Sequence, residues 1–95
     1  MKKFVYPAII YNDADANVYV VAIDELSLFV EGDSVEDAHA SMNEALTSYV
    51  TTALEFGYDI PEAQNFNIVA AKNPKNLVIL VEAHIDENKL KKFAE

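Results

Sequence analysis

The chain has 95 residues, no cysteine and a formal net charge of −9. That length holds one core and no second domain, and a 52% hydrophobic composition lies outside the disordered range. No apolar run reaches the ~18 residues of a transmembrane helix, and the missing cysteines exclude a disulfide framework or a thiolate metal site.

The charge is unevenly placed. Residues 4–71 contain twelve Asp and Glu and no Lys; Arg is absent from the whole chain. The lysines lie at the two ends, as Lys2 and Lys3, then Lys72, Lys75, Lys89, Lys91 and Lys92. Arginine is the residue best suited to bidentate contacts with phosphate and guanine, and an acidic body repels a nucleic-acid backbone. Direct nucleic-acid binding is therefore not expected, whereas a basic protein partner suits this field. The start Met1-Lys2-Lys3-Phe4 runs into Tyr6-Pro7 and then Asn12-Asp13-Ala14-Asp15. It has no apolar signal core or cleavage site, so a cytoplasmic location is expected.

Phe4–Tyr11 carries β-branched and aromatic residues on both faces, which predicts a strand that is central or covered on both sides. Pro7 lacks a ladder donor, so one side must be open or irregular there. Asn12–Asn17 is polar and reads as a hairpin connection. Val18–Ile23 is the second strand, Asp24-Glu25 a short turn, and Leu26–Glu31 the third strand. Leu26, Leu28 and Val30 point inward, and Phe29 breaks the alternation. The three form an antiparallel meander.

Val30-Glu31-Gly32-Asp33-Ser34-Val35-Glu36-Asp37-Ala38 reads as a strand end, a glycine turn and a helix start. Gly32 is expected to supply a positive φ. Ser34 is an N-cap with Asp37 three residues on, and Asp33, Glu36 and Asp37 favour the positive end of the helix dipole. The stripe Val35, Ala38, Met42, Ala45, Leu46, Tyr49, Ala53 and Phe56 predicts a helix of about 33 Å that ends at Gly57. Beyond Pro61, Phe66–Ala71 reads as a short strand and Asn73-Pro74-Lys75-Asn76 as a turn. The five apolar residues that open Leu77–Ile85 predict a strand inside the sheet. Asp86 then caps a short helix, Glu87–Ala94, with Lys89, Lys91 and Lys92 near its end.

Taken together, Tyr6-Pro7-Ala8-Ile9-Ile10, Val18-Tyr19-Val20-Val21, Phe29–Ala38 and Gly57-Tyr58-Asp59-Ile60-Pro61-Glu62 resemble the HicB antitoxin family in order and spacing. The resemblance spans residues 4–63, and more weakly 77–85. It implies an α+β, β-β-β-α-β partial ribonuclease-H-like fold: one domain over residues 1–95 with its core at 4–85. The antiparallel meander carries one long helix packed on the sheet, and the C-terminal strand and short helix occupy 77–94. It also implies a protein that is not an enzyme and that binds and neutralises HicA, a small basic toxin that cleaves messenger RNA.

The chain departs from the family pattern at Asn12–Asn17, where glycines are common, and at Glu25-Leu26-Ser27-Leu28, where Leu-Pro-Gly-Cys is usual. Twenty-four residues follow Ala71, too few beside the strand at 77–85 for the DNA-binding unit that many members carry, so promoter regulation is not carried over. Partner contacts are expected at Asp24, Glu25, Glu31 and Asp33. A second reading is a stand-alone, oligomerising HicB-like domain without a toxin. In it, the basic C-terminus pairs with the acidic body of another copy.

A third reading is a metal-dependent nuclease using Asp24, Glu31, Asp33 or Asp86. Two-metal chemistry needs carboxylates converging on ions ~4 Å apart, and these acids have structural reasons to sit in turns and caps. His39 and His84 are isolated and lack metal-ligand spacing. Gly32 and Gly57 are the only glycines, so there is no phosphate-binding loop. No catalytic residue, cofactor or metal ligand is assigned.

Overall fold

A computed structural model describes residues 1–91. The elements are β1 (Lys2–Asp13), β2 (Val18–Ile23), β3 (Leu28–Gly32), α1 (Val35–Phe56), α2 (Phe66–Lys72) and β4 (Leu77–Ile85), with single 3-10 turns at Asp24–Leu26 and Glu87–Lys89. The four strands form one antiparallel sheet in the order β3-β2-β1-β4. The meander, the long helix and the central position of β1 agree with the sequence.

One sheet face carries Tyr6, Ala8 and Ile10 from β1, Val21 and Ile23 from β2, and Val81, Ala83 and Ile85 from β4. These residues pack against Ala38, Met42, Leu46 and Val50 of α1. The helix residues recur at four-residue steps, so one stripe faces the sheet. Val50, not Phe56, completes that stripe: Val50 is fully buried and Phe56 lies at the exposed end of the helix. The Ser34 hydroxyl caps α1 by accepting from the Asp37 N–H at 3.0 Å, a contact of about 1 kcal/mol. Gly57 ends the helix at φ 72°, in the left-handed region that favours glycine.

Gly32 has a different reason from the one the turn suggested: its φ is not positive. A Cβ there would lie 2.4 Å from the backbone nitrogen of Ala38 and 2.7 Å from its Cα. The first turn of α1 lies directly on the end of β3, and only glycine leaves room for it.

Residues 66–71 are helical, not extended. The Asn65 side chain accepts from the N–H groups of Asn67 and Ile68, and β1 already has a strand on each side, so no ladder there is open to a further strand. α2 instead lies on the second sheet face, with Val69 buried and sharing a small cleft with Pro7, Ile9 and Ala22. The predicted C-terminal helix is only the turn Glu87–Lys89, capped by Asp86. Leu90 is already extended, and the Lys91 N–H donates to Glu55 of α1 at 2.8 Å. Residues 92–94 of that predicted helix lie outside the described residues.

β4 is an edge strand, not an internal one. Its apolar run has two causes: Val81 faces α1, while Leu80 points to the opposite face and is 49% exposed. Two outward backbone groups at the middle of β4 are taken by side chains of α1. His39 Nε2 donates to the Leu80 carbonyl at 2.9 Å, which requires the proton on Nε2 because a carbonyl only accepts. One helical turn on, Asn43 Oδ1 accepts from the Glu82 N–H at 3.1 Å. Lys3 Nζ lies 3.0 Å from the Glu82 carboxylate, and this hydrogen bond and charge hold Glu82 below the usual carboxylate range.

These outward bonds also explain Pro7. Leu80 turns its carbonyl away from β1, so the Pro7–Leu80 pair is a non-hydrogen-bonded one. The nitrogen of Pro7 faces β2, where pairing begins only at Ile9. The strand is open at the position where proline needs it to be.

Candidate functional site

The four acids singled out from sequence fall into two pairs at opposite ends of the β2–β3 hairpin. Ile23 pairs with Leu28 at one end and Tyr19 with Gly32 at the other, about 14 Å apart along the strand at ~3.4 Å per residue.

Glu31 and Asp33 lie at the α1 end. They share a shallow depression with Val18 and Asp37. Register places Asp13 beside Val18, and the turn at residues 14–17 carries Asp15. Glu36 is exposed in the first turn of α1. The pole therefore gathers Asp13, Asp15, Glu31, Asp33, Glu36 and Asp37. Asp13 and Asp15 are invisible as members from sequence, because only strand register brings the first hairpin turn beside the β3–α1 junction. Lys75 approaches along the β1 side of this end, next to Asn12 and Tyr19, but among the described residues no lysine lines the depression itself.

Asp24 and Glu25 lie at the opposite end, in the 3-10 turn. Glu25 has a structural task, since its carboxylate accepts from the Gln64 N–H at 2.9 Å. The Tyr6 hydroxyl donates to the Pro61 carbonyl close by. Together they tie the segment after α1 to the sheet. Both acids also line a cleft of about 110 Å³ with Lys72, so this end holds a cation that the other depression lacks.

Tyr6 is 3% exposed. Burial, followed by the charges of Glu25, Tyr49 and Glu62, raises its pKa above 10.0. The raised folded value means that its stabilising contribution is complete below the ordinary tyrosine pKa and is lost as pH rises through the folded one. Tyr6→Phe is expected to lower stability by about 1 kcal/mol near neutral pH and to reduce the alkaline loss. Urea midpoints of both proteins across neutral and alkaline pH measure this; parallel curves would remove the role given to the hydroxyl.

Among the described residues, no three His, Cys, Asp or Glu side chains converge to hold a metal ion. Among them too, no helix is long and apolar enough to cross a membrane.

The family model for HicB-like antitoxins of bacterial toxin–antitoxin systems matches residues 6–95. The chain belongs to the HicB-like antitoxin family. Its fold matches the crystal structure of Burkholderia pseudomallei antitoxin HicB with a TM-score of 0.71 at 25% identity, covering 100% of this chain and 71% of that one. The N-terminal domain of that antitoxin matches with a TM-score of 0.73 at 23% identity, covering 87% of this chain and 99% of that one. A toxin–antitoxin complex from Streptococcus pneumoniae contains a chain with the same fold, with a TM-score of 0.73, 18% identity and coverage of 99% and 81%. No curated protein matches. The α+β fold implied by the resemblance is thus the HicB antitoxin fold, with α2 standing before the last strand where the sequence suggested a short strand.

Proposed function

We propose that this HicB-like chain binds and neutralises a small basic, HicA-type toxin that cleaves messenger RNA, and that it does so by masking the toxin rather than by catalysis. The observation that carries this reading is the acidic pole beside β3, in a stretch of the chain that holds twelve acids and no Lys or Arg. An RNA-cleaving protein presents positive charge to phosphate, and a complementary negative surface steers association with it and competes for the same face. The contacts assigned are Glu31 and Asp33 at that pole, with Asp24 and Glu25 as a second set. The same field opposes direct nucleic-acid binding by this chain.

Co-expression with a small basic, HicA-type toxin tests the reading. The expected result is rescue of growth and a co-purified complex that weakens as salt rises. The double change Glu31→Lys with Asp33→Lys is expected to abolish rescue while the protein still folds. Absence of both complex and rescue with the unaltered chain would overturn the proposal.

A further inference from the structure

The two edges of the sheet differ. At the β4 edge His39 and Asn43 bond the outward Leu80 carbonyl and Glu82 N–H, whereas among the described residues β3 pairs only with β2. Pairing alternates across an antiparallel sheet. With Leu80 and Glu82 facing outward on β4, Ile9 and Ala22 exchange bonds between β1 and β2. Val21 and Val30 then do so between β2 and β3. The N–H and C=O groups of Phe29 and Glu31 therefore point out of the sheet along its free edge. Phe29 is 62% exposed on the face away from α1. On the other face an apolar groove of about 450 Å³ runs between that edge and α1, lined by Leu28, Ala45, Tyr49, Ala53 and Tyr58 among others.

We propose that this edge takes an extended segment of a basic protein partner as a fifth strand, the inference resting on the neutralising role argued above. Main-chain bonds to Phe29 and Glu31 would hold the segment, and side-chain alternation would select it. Every second residue enters the groove beside Leu28 and Tyr49 and is apolar. The residues between them lie beside Phe29 and Glu31 and include Lys or Arg. Charge decides against a second copy of this chain as the occupant. Each copy carries a net charge of −9. Glu31 lies on the edge itself, residues 4–71 offer no lysine or arginine to pair with it, and like charges across an interface oppose association.

The probe is a short synthetic peptide alternating lysine and valine, with a glutamate–valine peptide as control. Amide hydrogen exchange is followed by NMR on the full chain. Without peptide, the Phe29 and Glu31 amides are expected to exchange fast while Glu82 is protected by Asn43. The basic peptide is expected to slow exchange at Phe29 and Glu31, and the control to leave both unchanged. Glu31→Lys keeps the edge and is expected to weaken peptide binding roughly tenfold. Glu31→Pro removes one outward donor without touching the β2 ladder and should reduce the protection that the basic peptide gives the Phe29 amide. Protection of Phe29 and Glu31 that rises with protein concentration alone would mean that a second copy occupies the edge, and would overturn the proposal. No protection at millimolar basic peptide would overturn it as well. A complex with the basic toxin in which both amides still exchange fast would sink the edge proposal and leave neutralisation standing; no complex at all would sink neutralisation.

Discussion

Leu46→Ala is expected to destabilise the protein by about 2–5 kcal/mol, the range for emptying a packed core position. Leu46 is fully buried at the middle of α1, between Met42 and Val50, against the sheet face built by Tyr6, Val21 and Val81. A domain of this size has about 5–14 kcal/mol of total stability, so the loss is a large share of it. Neighbouring side chains cannot close the gap cheaply, because the flanking core positions are held by β-strand register on one side and by the helix repeat on the other. Urea or guanidinium unfolding monitored by circular dichroism measures the effect. Ser48→Ala, on the exposed side of the same helix, serves as the control and should stay within about 0.5 kcal/mol. A shift of that small size for Leu46→Ala would mean that α1 does not pack on the sheet as described.

Gly32→Ala is expected to cost about 3 kcal/mol, near the upper end for overpacking, although it adds a single methyl group. The atoms it would strike are all backbone: the nitrogen and Cα of Ala38 and the carbonyl carbon of Asp37, at 2.4, 2.7 and 2.9 Å. A clash with a flexible side chain could be relieved by a rotamer change. This one requires the first turn of α1 to lift from the end of β3, which also disturbs Ala38, itself fully buried. Thermal unfolding of the variant tests this, and a melting temperature close to that of the parent would remove the close approach as the reason for glycine. The same lift would displace Asp37 from Glu31 and Asp33, so a partially folded Gly32→Ala protein is also expected to lose partner binding.

Elements with strong local signals were legible in the sequence. The 22-residue helix α1 is marked by Ser34, a four-residue apolar repeat and Gly57, each of which acts within a few residues. The meander is marked by alternation and polar turns. Signals that depend on the third dimension were not legible. Phe66–Ala71 is an apolar run too short for periodicity to separate helix from strand; the Asn65 cap and the full pairing of β1 decide it. The apolar run in β4 suggests an internal strand, yet its second neighbour is a pair of polar side chains on α1. The acids show the same division. Glu31 and Asp33 stand out as a local cluster, but Asp13 and Asp15 join them only through the β1–β2 register, and the bond from Gln64 to Glu25 spans 39 residues.

The bonds from His39 and Asn43 to β4 limit how copies of this sheet can join. A sheet with two open edges can add strands without end, as fibres do. Here the Leu80 carbonyl and Glu82 N–H of β4 are already bonded, so the β3 edge of one copy would meet occupied groups on the β4 edge of the next. Two polar side chains one helical turn apart thus oppose open-ended β3-to-β4 stacking of this chain.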